Sequence, residues 1–85
     1  LSHMATQASR TADIGREVAT LVLAAIGDAG LSKSKVADLS GIPYSTLNRK
    51  LMGRGEFSFE ELYLLAEATG RRPSDFTPSA FAQVA

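Results

Sequence analysis

The sequence predicts an all-α domain, and three observations carry that reading. Apolar residues recur at spacings of three and four in successive segments, glycine or proline stands at the ends of those segments, and no stretch alternates apolar with polar residues as a half-buried strand does. In the segment from Asp13 to Ala29, residues Ile14, Val18, Leu21, Val22, Ala25 and Ile26 fall along one helical face. Thr11 or Asp13 can cap this first helix, and residues 5–12 form either an extension of it or a flexible arm. Gly30 stops it, because glycine enters the left-handed region without a Cβ clash.

Ser32 is the expected N-cap of a second helix that ends near Leu39 or Ser40 and buries Val36, Ala37 and Leu39. Gly41 supplies a tight turn. Pro43 pushes Ile42 out of the helical region and, with its own fixed φ, suits the first position of a third helix over about 43–52, with Leu47 and Leu51 inward and Gly53 as its stop. Ser58 and Glu61 have the spacing of a capping box and head a fourth helix from Phe59 to Thr69, whose expected inward residues are Phe59, Leu62, Leu65 and Ala66. Phe57 reads as core as well. Pro73-Ser74-Asp75-Phe76 can form a short fifth turn, and Ser79 to Val84 a further weak helix, so residues 77–85 read as a tail.

A chain of 85 residues, 45% hydrophobic and 21% charged, fits one small domain with little room for an enclosed active site. It has no cysteine, which excludes thiolate metal sites and cysteine nucleophiles and suits a cytoplasmic protein. The single histidine lies in Leu1-Ser2-His3-Met4, which reads as an expression-tag remnant, so residues 1–4 are set apart from the domain. Without that histidine, catalysis and metal binding rest on carboxylates, lysines and tyrosines, and neither an enzyme nor a cofactor is expected. No apolar run approaches a membrane span.

Two short helices joined by a Gly-containing turn make a helix-turn-helix, with Val36, Ala37, Gly41, Ile42, Leu47 and Leu51 as its packing residues. Stepping the third helix at 100° per residue with Leu47 and Leu51 inward turns Ser45 and Arg49 directly out, Met52 near them, and Thr46 and Asn48 to the flanks. Tyr44 lies in the first turn. Residues early in such a helix reach base edges in the major groove, so Tyr44, Ser45, Asn48 and Arg49 are the candidate base readers. Arg49 has the fork for guanine O6 and N7. Lys33, Lys35, Thr46, Lys50 and Arg54 are the candidate phosphate contacts, the first two beside a helix N-terminus that itself attracts anions. From Lys33 to Arg54, five bases stand against Asp38, a local excess in a chain of zero formal charge. Lys33, Lys35, Asn48 and Arg54 have a plain solvated surface as their alternative, Tyr44 has stacking or packing on the helix-turn-helix elbow, and Arg71-Arg72 reads as surface, with a distant backbone contact as its alternative.

The segment Leu31 to Phe76 resembles the phage-repressor and Cro-like class of helix-turn-helix proteins, the XRE type. The run STLNRKLMGRGEFSFEEL, Ser45 to Leu62, is especially similar to repressor-like proteins of actinobacteria and their phages. The resemblance implies a five-helix lambda-repressor-like fold and a recognition helix carrying Tyr44, Ser45 and Arg49. It also implies phosphate contacts at Ser32 and Lys33 and after Gly53. The implied partner is a double-stranded DNA operator and the implied role transcriptional regulation, as in phage immunity. A homodimer is the family expectation, with Phe76, Phe81 and Val84 as candidate contacts. Pro43 departs from the hydroxyl residue that often caps the recognition helix, and Thr69 and Arg71 stand where the family usually has apolar residues. The competing function is a helix-turn-helix protein-interaction module, an antitoxin part or polymerase-associated factor, that does not read DNA. Either function fits a chain that is the N-terminal domain of a longer protein.

Overall fold

Four fully buried side chains, Val22, Val36, Leu47 and Leu65, come one from each of the four longer helices. A computed structural model describes the backbone of residues 2–82 and the side chains of residues 11–82. The helices are α1 (Ser2–Asp28), α2 (Lys33–Ser40), α3 (Tyr44–Leu51), α4 (Phe59–Thr69) and the short α5 (Ser79–Ala82), with a 3₁₀ turn at Pro73–Phe76 before the last. The α2 helix packs on both α3 and α4, while α1 lies against α3, α4 and the 3₁₀ turn. Ala25, Ile26, Ala37, Ile42, Leu51, Ala66 and Phe76 complete the cluster, and Val18, Leu21, Leu31, Phe57 and Leu62 pack around it.

Each end of the motif has a local chemical cause. The Ser32 hydroxyl accepts the Lys35 N–H at 3.0 Å and so caps α2. At its other end Gly41 adopts φ +77° and donates its N–H to the Ala37 carbonyl at 2.9 Å. Ser40 is buried there, and its hydroxyl accepts the Ile42 N–H at 3.2 Å, which satisfies a backbone donor inside the turn. Ser58 and Glu61 form a reciprocal capping box on α4, at 3.1 Å and 2.8 Å. Thr69 is buried in an apolar setting but donates its hydroxyl to the Leu65 carbonyl at 2.7 Å, so it carries no unsatisfied polar group. The exposed pair Arg71–Asp28 then ties the exit of α4 to the end of α1. Glu17 of α1 accepts both the Ser79 N–H, at 2.8 Å, and the Ser79 hydroxyl, at 3.0 Å, which folds the start of α5 back onto α1.

Of the two alternatives for residues 5–12, the helical extension is the one adopted, since α1 runs back to Ser2. Other expectations are corrected. Pro43 is the N-cap and not the first helical residue: its ψ of 139° is extended, and its carbonyl accepts the Leu47 N–H at 2.9 Å. Leu39 is 52% exposed, with the adjacent Ser40 taking the inward position, and Phe59, the first residue of α4, is 87% exposed. Phe76 is buried in its own core and is thereby removed from the candidate dimer contacts. Val84 lies outside the described residues.

Lys50 departs from the phosphate expectation in the same way. Its ammonium lies 2.7 Å and 3.0 Å from the two Glu61 carboxylate oxygens, with both side chains largely shielded. The pair joins the end of α3 to the start of α4. Burial pushes the Glu61 carboxyl upward, but hydrogen bonds from Lys50 and from the Ser58 N–H outweigh it, so its pKa lies below the ordinary glutamate value. A lowered folded pKa means stabilisation that is present above the unfolded pKa of about 4.3 and disappears as pH falls through the folded value. Glu61→Gln is therefore expected to cost about 1–2 kcal/mol at neutral pH. In urea melts that deficit should shrink toward pH 3; a deficit independent of pH would show that the charge is irrelevant.

Candidate nucleic-acid interface

The residues of α3 divide by direction. Leu47 and Leu51 are buried, Ser45 and Arg49 are exposed, and Thr46 and Asn48 lie half-buried on the flanks. Tyr44, at the first helical position, is 49% exposed, and Met52 is exposed at the other end. The buried pair, together with Val36, Ala37 and Ile42 in the same cluster, fixes α3 against α2 and turns its polar edge outward.

Two side-chain contacts organise that edge beyond what helical direction predicts. Lys33, in the first turn of α2, donates its ammonium to Asn48 Oδ1 at 3.1 Å, across the helix-turn-helix angle. One candidate phosphate contact and one candidate base reader are therefore partners of each other. Arg49 Nη1 donates to the Arg54 carbonyl at 2.6 Å, and the Arg54 N–H returns to the Arg49 carbonyl at 3.0 Å. The chain after α3 is thus wound back onto the helix end. This winding needs glycine: Gly53 and Gly55 have φ of +83° and +109°, and a Cβ on Gly55 would meet Arg49 Nη1 at 2.5 Å. The clasp uses one guanidinium N–H and leaves the others available.

Electrostatically, the pairing of Lys50 with Glu61 subtracts one cation from the five found in the sequence. Lys33, Lys35, Arg49 and Arg54 remain on α2, α3 and the following loop, with Asp38 the single acid in that stretch. Lys35 and Arg54 are exposed, and neither has an ion-pair partner among the described residues. Ser32 keeps its hydroxyl proton free to donate, since its oxygen acts as acceptor in the cap. The arrangement is a narrow polar helix edge bordered by cations, with the N-terminus of α2 alongside.

Helical direction could not supply the Lys33–Asn48 bridge, the Arg49–Arg54 clasp or the Lys50–Glu61 pair, because each depends on how neighbouring elements meet. The S-G step at Ser40-Gly41 was a readable signal for the hydroxyl in the turn. Among the described residues no cluster of three or more His, Cys, Asp or Glu is placed to hold a metal. No described helix is long and apolar enough to cross a membrane. An apolar groove of about 570 Å³ does exist, lined by Ile14, Val18, Phe57, Phe59 and Phe81, but no residue of α3 contributes to it.

No curated protein and no solved structure matches the chain. A helix-turn-helix family model matches residues 24–76, more than half of the chain and the whole span from the C-terminal end of α1 to the 3₁₀ turn. With α2, the Gly41 turn and α3 at the centre of that span, the chain belongs to the XRE/Cro–CI-type helix-turn-helix family of DNA-binding regulators.

Proposed function

We propose that this protein is a sequence-specific double-stranded DNA-binding transcriptional regulator of the phage-repressor or Cro type, with α3 entering the major groove. The observation that carries the proposal is the exposed edge of α3, polar and bordered by Lys33, Lys35, Arg49 and Arg54 in a chain of zero net charge. Cations on one face supply phosphate affinity by displacing counterions, whatever the total charge. Tyr44, Ser45, Asn48 and Arg49 then read bases. A serine can pair with purine or pyrimidine edges, a tyrosine can press on a thymine methyl, and an arginine fork matches guanine.

Thr46, Ser32, Lys33, Lys35 and Arg54 serve as backbone contacts in this reading, while Lys50 acts within the fold. The Arg49 clasp has two consequences for it. It holds the loop so that Arg54 is displayed beside the helix, and it limits the rotamers that Arg49 must give up on meeting a base. Two copies on a two-fold operator fit the family, with Phe81, exposed at the tail, and Val84 as the remaining candidate contacts.

Selection of bound sequences from a random duplex pool tests the proposal directly. A recovered motif is the expected result, with two-fold symmetry if a dimer binds; recovery of no motif would favour the protein-interaction module instead. Arg49→Ala should cost about 1–3 kcal/mol on the selected site and relax preference at one base position. Equal loss on random duplex would reassign it to phosphate. Lys33→Ala should weaken binding to every sequence and reduce the slope of log affinity against log salt by about one. An unchanged slope would confine Lys33 to its bridge with Asn48.

A further inference from the structure

The outward side of α4 has no role in the DNA reading, and its composition is unusual for a solvated surface. Leu65, Ala66 and Thr69 are buried and Leu62 packs beside them. At 100° per residue the opposite side is centred on Glu60 and Glu67, with Phe59 and Tyr63 on one flank and Leu64 on the other. Phe59 is 87% and Tyr63 54% exposed, and Phe59, Glu60, Tyr63 and Leu64 together line a shallow surface depression. Large apolar side chains that extend beyond the buried stripe of a helix and gather in one patch mark a surface that a partner covers.

The carboxylates around this patch point to what covers it. Glu56, Glu60 and Glu67 are exposed, and none is in an ion pair among the described residues. Glu60 lies in the first turn, where the helix dipole favours an anion. Glu67 lies in the last turn, which holds no basic residue and where an anion is disfavoured, so its own helix gives no reason for its charge. We infer that the outward face of α4 is a protein-docking surface for a basic amphipathic helix, with apolar side chains one turn apart seated on Phe59, Tyr63 and Leu64 and flanking Lys or Arg paired with Glu60 and Glu67. DNA does not suit this face, since its phosphates would meet carboxylates. A second copy laid two-fold, α4 on α4, would set Glu60 and Glu67 against acids of the same sign.

Three synthetic helical peptides test the inference, with identical leucines at i and i+4 and flanks of lysine, glutamine or glutamate, titrated into the ¹⁵N-labelled full chain. The lysine peptide should bind most tightly, shift Phe59, Tyr63 and Leu64, and weaken as salt rises from roughly 50 to 300 mM. Tyr63→Ser, and Glu60→Gln with Glu67→Gln, should each weaken it by about tenfold, which is 1.4 kcal/mol. These side chains are exposed, and unchanged melting and unchanged affinity for the selected DNA site would show that fold and DNA face are intact. The inference is overturned if the glutamate peptide binds as well, if the shifts centre on α3 or on Ile14, Val18 and Phe81 of the groove that Phe59 also lines, or if the variants bind undiminished. Sedimentation showing a dimer that protects Tyr63 would overturn it in favour of a second copy.

Discussion

A helix of eight residues does not hold its shape in water alone, because the cost of nucleation is spread over too few hydrogen bonds. The α3 helix has that length, and everything proposed for DNA depends on its being rigid. Leu47 and Leu51 supply the remedy by burial, each contributing on the order of 1.5–3 kcal/mol. Against a typical domain stability of about 5–15 kcal/mol that is a large share from two side chains. The Lys50–Glu61 pair adds an anchor at the end of the helix, and the Ser40 hydroxyl holds the turn before it. With rigidity supplied from beneath, Ser45 and Arg49 are not needed in the core and face outward as polar residues.

The same anchoring changes how charge is distributed. Of the cations between Lys33 and Arg54, Lys50 is shielded and neutralised, Lys33 and Arg49 are steered by neutral oxygens, and Lys35 and Arg54 have no ion-pair partner among the described residues. Hydrogen bonds to the Asn48 amide and the Arg54 carbonyl orient those two charges without cancelling them. An ion pair would have done the opposite. Neutral acceptors near the recognition helix and a carboxylate only at its far end keep the positive potential where phosphates would approach.

Most of the fold was legible because its punctuation is local. Ser32, Gly41, Ser58 and Gly70 cap or stop helices through bonds made within a few residues, so spacing alone locates them. The misplaced residues share one cause. Apolar character alone points Leu39 and Phe59 inward, yet polar residues, Ser40 and Thr69, hold inward positions on the same helices by satisfying their hydroxyls on their own backbone. On a two-turn helix with only Val36 and Ala37 as firm anchors, the centre of the buried face is uncertain by about one residue step of 100°. For the candidate site, the outward direction of Ser45 and Arg49 followed from geometry. The destination of Lys50 did not, since its partner lies eleven residues on, in a different helix.

Zero net charge is the property that most obscures such a protein in sequence, and the fold shows why it misleads. At physiological salt the Debye length is about 8 Å, so solvent weakens the interaction between exposed charges that lie farther apart than that. Of the acids of α4, Glu61 is engaged with Lys50, while Glu60 and Glu67 are exposed and so open to that screening. Separation of charge by helix, and not its sum, sets what each face attracts.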